Sequence, residues 1–114
     1  LKSRVLQIGI SFKENVPDIR NSKAAELASM FIKKKYNLDI YDPVVDKDEV
    51  LSAYNISLAN PSGKYDCIVI TVPHKIIFKD KNFKQFLNKS SIIFDITGNY
   101  RNYFTKDKYN YFSL

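Results

Sequence analysis

The sequence has few of the residues that hold small folds together by covalent or metal chemistry. It contains one cysteine, Cys67, among 114 residues, which excludes an internal disulfide. Cys67 lies inside an apolar run, so its thiol is expected to be buried and unreactive. The single histidine, His74, leaves no cluster of cysteine and histidine with the spacing of a zinc site. We therefore expect neither disulfides nor a bound metal.

Long apolar runs are also missing. The longest run is a handful of residues, far short of the roughly 20 that a membrane-spanning helix needs. The first residues lack the charged and then apolar layout of a signal peptide. These two features predict a cytoplasmic protein with no membrane partner.

Glycine is scarce as well, with three in the chain. After Gly9 the next glycine is Gly63, so the Gly-x-Gly-x-x-Gly fingerprint of a dinucleotide fold is absent. Any phosphate bound near Gly9 is therefore expected to be held mostly by side chains.

The composition is that of one globular domain. Apolar residues make up 45% and charged residues 26% of the chain, and a chain of this length is about one ordinary domain. The net charge of +6 invites an interpretation as a nucleic-acid-binding protein. The lysines, however, are spread along the whole chain and alternate with acidic residues. We interpret them as a solvated surface and expect no nucleic-acid partner.

Apolar runs alternate with helical patterns along the chain. Strands are predicted at residues 5–10, 38–41, 67–72 and 91–96. A helix is predicted over residues 22–35, capped by Asn21 or Ser22, with a buried face of Ala24, Leu27, Ala28, Phe31 and Ile32. Short helices are predicted from Asp46 and around Phe83, Phe86 and Leu87. Because the third strand is apolar on both faces, we expect an α/β fold, a Rossmann-like, three-layer, doubly wound parallel sheet in a single domain.

The segment after the first strand, GISFKENVPDIRNSK at residues 9–23, gathers the cations Lys13, Arg20 and Lys23. Open parallel sheets bind ligands beyond the carboxyl ends of their strands, where this segment is expected to lie. It also leads into a helix N-terminus, which favours anions. A phosphate or pyrophosphate is the natural ligand, with Arg20 suited to a bidentate contact and Lys13 to a point-charge contact. A solvated turn in which Arg20 pairs with Asp18 or Glu14 explains the residues equally well.

The same segment resembles the start of the C-terminal, UDP-binding domain of the UDP-glucose/GDP-mannose dehydrogenase family. Its FKEN and PDIRNS elements are similar to the branch that oxidises UDP-N-acetylhexosamines for bacterial surface polysaccharides. The likeness continues in order through IYDPVVDKDEV (40–50), KYDCIVITVPHKIIF (64–78) and IIFDITG (92–98). It therefore covers nearly the whole chain.

The resemblance implies that residues 1–114 are the UDP-sugar-binding domain of an NAD-dependent nucleotide-sugar 6-dehydrogenase. The full protein is then expected to be a homo-oligomer that oxidises the C6 alcohol of UDP-N-acetylglucosamine or UDP-N-acetylgalactosamine to a uronic acid. Phe12 and Lys13 are implied to contact the UDP-sugar. Arg20 is implied to reach NAD, which an N-terminal domain upstream of Leu1 mainly binds. The catalytic cysteine is expected in those other domains, so no catalytic residue is expected here and the isolated domain should be inert. From spacing alone, Asp18 is the carboxylate expected to orient Arg20.

Polar residues near the other strand ends have alternative roles. His74 either contacts substrate or closes a Val-Pro turn, and we favour the turn. Asp42 follows the second strand, where a dinucleotide fold has its ribose-binding acid, but it can equally form an Asp-Pro turn. Again we favour the turn. Asp95 is expected to anchor a loop. Where family members often carry a basic residue two positions after this aspartate, the chain has Thr97, with Arg101 as a candidate replacement.

The C-terminal residues 100–114 are rich in tyrosine and phenylalanine without clear periodicity. We expect their rings to pack over the sheet or against other domains, and any exposed apolar patch to mark an interface. Two other functions remain open: a stand-alone nucleotide-binding or regulatory module, and a basic nucleic-acid-binding domain.

Overall fold

The structure is a computed structural model that describes residues 3–75, 83–105 and 109–113. The described strands are β1 (Arg4–Ile8), β2 (Asn37–Tyr41), β3 (Tyr65–Ile70), β4 (Leu87–Asp95) and β5 (Asn110–Ser113). The helices are α1 (Lys23–Lys33), α2 (Lys47–Tyr54) and α3 (Arg101–Thr105), with a 3₁₀ helix, η1, at Phe83–Phe86. Within these described ranges, none of the helices is long and apolar enough to cross a membrane.

The five strands form one sheet in the order β2-β1-β3-β4-β5, and every neighbouring pair is parallel. The chain goes outward from β1 to β2, then returns past β1 to β3 and continues to β4 and β5. The direction of winding therefore changes between β1 and β3. Beyond the carboxyl ends of these strands lies the crevice in which such sheets bind ligands. The predicted Rossmann-like α/β fold is confirmed.

The predicted number of strands and some of the predicted strand ends were wrong. A fifth strand, β5, pairs with β4 through Phe94 and Phe112, whereas no strand was predicted in residues 100–114. β3 ends at Ile70, although Thr71 and Val72 still donate backbone hydrogen bonds to the Ile8 carbonyl. The short helix predicted around Phe83, Phe86 and Leu87 is the 3₁₀ helix η1, and Leu87 already belongs to β4, while residues 76–82 lie outside the described residues.

Helix α1 packs on the sheet through small side chains. Ser22, one of the two predicted caps, caps the helix, since its Oγ accepts a hydrogen bond of 3.0 Å from the Ala25 backbone N–H. The buried residues are Ala24, Ala25 and Ala28, which allow the helix backbone to lie close to the strands. Ile32 is 47% exposed, so its placement in the buried face was wrong. The buried face of α1 therefore includes Ala25, which was not predicted, and excludes Ile32.

Apolar side chains cover the two faces of the sheet unequally. One face carries a cluster that joins Leu6, Ile8, Ile68, Ile70 and Ile93 to the aromatic rings of η1 and α3. On the other face α1 and α2 cover β1 and β2, where Gln7 contacts the Ala24 carbonyl. Over β4 and β5 that second face is partly exposed. Its exposed residues are Ile92, Phe94 and Phe112, at 43%, 39% and 56%, and this surface is called the β4–β5 face below.

Candidate functional site

The segment from Gly9 to Ser22, called the β1–α1 loop below, lies across the carboxyl ends of the central strands. Gly9 has a φ of +102° and donates its N–H to the Tyr41 carbonyl at the end of β2. Further along, the loop contacts Asp42, which follows β2, and His74, which follows β3. The cation-rich segment is therefore at the strand ends, as the fold predicted.

Asp42 is the buried anchor of this loop. Its Oδ2 accepts hydrogen bonds from the backbone N–H of Ile10 at 2.8 Å and of Ser11 at 3.2 Å. Its Oδ1 accepts the Val44 N–H at 2.9 Å, which closes the predicted Asp-Pro turn. Burial alone would raise the pKa of Asp42, but hydrogen bonds from His74 and from these backbone groups outweigh it and lower the pKa. The carboxylate has no exposed surface, so it is a structural anchor and no ribose ligand.

His74 joins the same buried cluster through both ring nitrogens. Nδ1 lies 2.8 Å from the backbone nitrogen of Asn15, which donates its N–H. The ring proton therefore resides on Nε2, which lies 3.0 Å from Asp42 Oδ2 and 3.2 Å from Ser11 Oγ. Asn15 in turn accepts the Lys75 backbone N–H with its Oδ1, at 2.8 Å. His74 thus fastens the β1–α1 loop, a role beyond the predicted Val-Pro turn.

Sequence reasoning missed Asn15 as part of this site. The residue has a φ of +63°, a conformation that asparagine tolerates better than most residues with a side chain. An asparagine within a loop of mixed charge was the available signal. Its partner His74 is 59 positions away, so local sequence patterns could not identify the pair.

Phe12 and Lys13 lie between the two fastened residues Ser11 and Asn15. Phe12 is 54% exposed, although large apolar side chains are usually buried. Lys13 is exposed as well, and its ammonium has no acidic partner among residues 3–75, 83–105 and 109–113. The loop therefore presents an aromatic ring and an uncompensated cation to solvent.

Arg20 forms a bidentate ion pair with Asp18. The Nε and Nη2 atoms of Arg20 lie 3.0 and 2.9 Å from the two carboxylate oxygens, and the Arg20 backbone N–H also donates to Oδ1. Hydrogen bonds from Arg20 lower the pKa of Asp18 to about 2, and the same contacts raise the pKa of Arg20. The pairing with Asp18 is thus as expected both from an orienting role of Asp18 and from the alternative of a solvated turn, and the Arg20 side chain stays 85% exposed.

A shallow cavity adjoins this ion pair. It has a volume of about 250 Å³ and is lined by Phe12, Asp18, Arg20 and Asn21. The structure thus brings two of the three predicted site residues, Phe12 and Arg20, to one cavity. Lys13 lies on the same loop, outside this lining.

The low pKa of Asp18 can be measured directly. By carboxyl NMR titration we expect Asp18 to titrate near pH 2 and its pKa to rise in Arg20→Gln, which removes the guanidinium but keeps the backbone N–H of residue 20 that also lowers the pKa. Because the folded pKa lies below the unfolded one, the ion pair is fully present above about pH 4 and is lost as the pH falls towards 2. An unchanged midpoint in the variant would show that Arg20 does not hold the carboxylate.

The residues after β4 form a separate cluster. Asp95 accepts hydrogen bonds from Thr97 with Oδ1 and from the backbone of Tyr100 with Oδ2, so it anchors this loop as expected. Tyr111 of β5 also donates to Asp95, and burial, followed by this contact, raises the pKa of Tyr111 to about 12. Arg101 contacts Ser113 and lies over the Tyr111 ring. Its described contacts are thus with β5 and not with the β1–α1 loop.

Two kinds of chemistry have no support within the described residues. Cys67 is partly exposed and not fully buried as expected, but burial, with a smaller effect of Asp66, raises its pKa to about 11, which disfavours the thiolate at neutral pH. Residues 3–75, 83–105 and 109–113 contain no group of three or more side chains that could hold a metal ion.

Comparisons with known proteins identify the family of this chain. The family model described as "UDP-glucose/GDP-mannose dehydrogenase family, UDP binding domain" matches residues 6–102, which include the whole β1–α1 loop. The chain is 36% identical over 114 residues to a UDP-N-acetyl-D-glucosamine 6-dehydrogenase of Salmonella typhi, covering 98% of the chain and 23% of that protein. It is 31% identical over 99 residues to the enzyme of the same name from Pseudomonas aeruginosa, covering 82% of the chain and again 23% of the relative.

A solved structure supports the fold over the full length. The UDP-D-ManNAc dehydrogenase from Pyrococcus horikoshii superposes with a TM-score of 0.68 at 20% identity, covering 99% of this chain and 25% of that one. The chain thus spans about a quarter of the length of the proteins that it matches. By the extent of the family match and by its identity to curated members, the chain belongs to the UDP-glucose/GDP-mannose dehydrogenase family, of which it matches the UDP binding domain.

Proposed function

We propose that this chain is the C-terminal, UDP-sugar-binding domain of an NAD-dependent nucleotide-sugar 6-dehydrogenase. The substrate class is a UDP-N-acetylhexosamine, UDP-N-acetylglucosamine or UDP-N-acetylgalactosamine, whose C6 alcohol is oxidised to a carboxylate for surface polysaccharide synthesis. The observation that carries the proposal is the placement of the β1–α1 loop, with its exposed aromatic ring and cations, at the strand ends of a domain that matches the family over residues 6–102.

Each predicted site residue has a physical role in this proposal. Lys13 supplies a point charge for the diphosphate, and the exposed ring of Phe12 supplies an apolar surface for the nucleotide. Arg20, held in a fixed orientation by Asp18, presents the outer edge of its guanidinium to the diphosphate of NAD. Phe12 and Arg20 line one cavity, which supports a cleft where substrate and cofactor meet.

The domain contributes binding energy and not the chemical step. When bound, NAD accepts the hydride that leaves C6. This chain lacks the glycine fingerprint that would hold NAD, so we propose that an N-terminal domain holds it, together with the catalytic cysteine. Contacts of Lys13 and Phe12 with the nucleotide are remote from C6, and they help to position the sugar for reaction.

The β4–β5 face supports the proposal that further domains of the same polypeptide pack on this one. Parallel sheets are covered on both faces in almost all known proteins, yet Ile92, Phe94 and Phe112 are 39% to 56% exposed. The relatives are about four times as long as the region they share with this chain. We propose that the additional length supplies the covering surface and that the full enzyme acts as a homo-oligomer in the cytoplasm.

Titration calorimetry of the chain with UDP and with UDP-N-acetylglucosamine tests the proposed function. We expect both ligands to bind, and Lys13→Ala to weaken binding by about 1 to 3 kcal/mol because a charge-assisted contact is lost. Lys33→Ala is the matched control: it also removes one exposed lysine, but at the C-terminal end of α1, so the affinity should not change.

Two results would contradict the proposal. Absence of UDP binding by the wild-type chain is one, and equal losses in Lys13→Ala and Lys33→Ala are the other. Binding of mixed-sequence RNA with a steep dependence on salt would instead favour the nucleic-acid-binding alternative.

A further inference from the structure

The exposed part of the β1–α1 loop is held at both ends by one buried cluster. At the first end, Asp42 Oδ2 accepts the Ser11 N–H, and Ser11 Oγ lies 3.2 Å from His74 Nε2. At the second end, His74 Nδ1 accepts the Asn15 N–H, while Asn15 Oδ1 accepts the Lys75 N–H. Residues 12–14 form a short arc between these two points.

Contacts within the loop transmit this restraint to the proposed ligand-binding residues. Ser11 Oγ donates to the Lys13 carbonyl at 2.8 Å, which fixes the backbone from which the ammonium extends. The Phe12 N–H donates to the Asp18 carbonyl at 2.6 Å, which links the arc to the residue that holds Arg20. The conformation of all three proposed site residues is thus tied to the cluster around His74.

We infer that His74 is a positioning residue for nucleotide binding: by holding Asn15, it presets the arc that carries Phe12 and Lys13. This inference rests on the proposed function. A loop that is already ordered before binding loses less conformational entropy when the ligand arrives, so the same contacts give a higher affinity. His74 has no exposed surface, and it acts through Asn15 without touching the ligand.

The geometry excludes nucleophilic catalysis by the same three side chains. A serine nucleophile requires a histidine that faces the serine with one ring nitrogen and the aspartate with the other. Here Ser11 Oγ and Asp42 Oδ2 both lie at Nε2, while Nδ1 is occupied by the Asn15 N–H. Ser11 is also only 1% exposed. The cluster therefore orders the loop.

Two substitutions of His74 separate positioning from general packing. In His74→Asn, the amide oxygen takes the place of Nδ1 and can accept the Asn15 N–H. In His74→Gln, the amide nitrogen takes the place of Nε2 and can donate to Asp42, but the Asn15 N–H loses its acceptor. Both variants lose the ring, so their free energies of unfolding should fall by similar amounts. For UDP, measured by calorimetry, we expect His74→Gln to bind about tenfold more weakly than His74→Asn, since the Asn15 N–H loses its acceptor and the arc is no longer held before the ligand arrives.

Asn15→Gly provides a test that does not alter the core. Glycine retains the positive φ and the N–H bond to His74, but it loses the side-chain bond to Lys75 and makes the loop more flexible. We expect UDP affinity to fall about threefold to tenfold with little change in the unfolding midpoint. Amide hydrogen exchange should be faster at Phe12 in Asn15→Gly and in His74→Gln than in wild type.

The outcomes distinguish this inference from the proposed function. If Lys13→Ala weakens UDP binding while the two His74 variants bind UDP equally and Asn15→Gly binds it like wild type, the site stands and the positioning role is wrong. If the wild-type chain does not bind UDP, the proposed function fails and the inference fails with it. A tenfold difference between the His74 variants, at matched stability, supports it.

Discussion

Replacing Gly9 by alanine is expected to lower the free energy of unfolding by about 3 to 5 kcal/mol, from steric overlap together with backbone strain. A β-carbon at this position would lie 2.6 Å from Val72 Cβ and 2.8 Å from the Val72 backbone nitrogen. Neither atom is at the flexible tip of a side chain, so the backbone of β1 or of the residues after β3 would have to shift. The φ of Gly9, +102°, is also strained for any residue with a side chain.

Gly98→Ala is the matched control for this effect. Gly98 also has a positive φ, +73°, but an added β-carbon would meet no atom within 4 Å. Only the backbone strain remains, so we expect a loss of about 1 kcal/mol. Urea denaturation of the two variants measures the difference. Equal losses would show that the contact with Val72 is relieved at no cost and that Gly9 is needed for its φ alone.

The Gly9 contact also has a consequence for binding. Gly9 is the first residue of the β1–α1 loop, and Val72 lies two residues before His74, which fastens that loop. A shift at this point changes the distance between β1 and His74. In Gly9→Ala protein that remains folded, the affinity for UDP should therefore fall as well.

The central fold could be predicted because its signals are local. Short apolar runs identified β1 to β4, and the third of them, apolar on both faces, indicated the parallel arrangement. Helix α1 followed from its period and its cap at Ser22. The position of the β1–α1 loop followed in turn, since every parallel strand ends at the same edge of the sheet.

Features that depend on packing partners were not predictable in the same way. The strand β5 has the sequence NYFS, in which exposed and half-buried residues alternate, and it becomes a strand by pairing with β4. Ile32 satisfies the helical period, yet it is exposed because α1 packs on the sheet through alanines. In both cases the tertiary contact decided the outcome over the local pattern.

The contacts of the functional site also differ in whether they are local in sequence. Asp18 and Arg20 are two residues apart, so their pairing followed from spacing. The cluster of Asp42, His74 and Asn15 joins three loops that are distant in sequence. A sequence pattern shows that each of these residues follows a strand, but it does not show which N–H group each one accepts.

Asp42→Ala is expected to be the most destabilising change among the polar residues of the site, by about 3 to 5 kcal/mol. The carboxylate accepts hydrogen bonds from three backbone N–H groups, those of Ile10, Ser11 and Val44, and from His74. Asp42 is buried, so water cannot readily replace the lost acceptor. Asp46→Ala removes the exposed cap of α2, which accepts two N–H groups in contact with solvent, and should cost about 1 kcal/mol.

The ionisation of Asp42 gives this prediction a second measurement. Its pKa in the folded protein lies below the ordinary value of 3.8, so its stabilising effect is fully present above about pH 4 and is lost as the pH falls further. Unfolding free energies of wild type and Asp42→Asn should therefore differ by a constant amount from pH 7 down to about pH 4, and the difference should shrink as the pH falls further. Parallel curves would mean that the charge of Asp42 contributes nothing to stability and that a neutral hydrogen-bonding side chain at this position would serve the β1–α1 loop equally well.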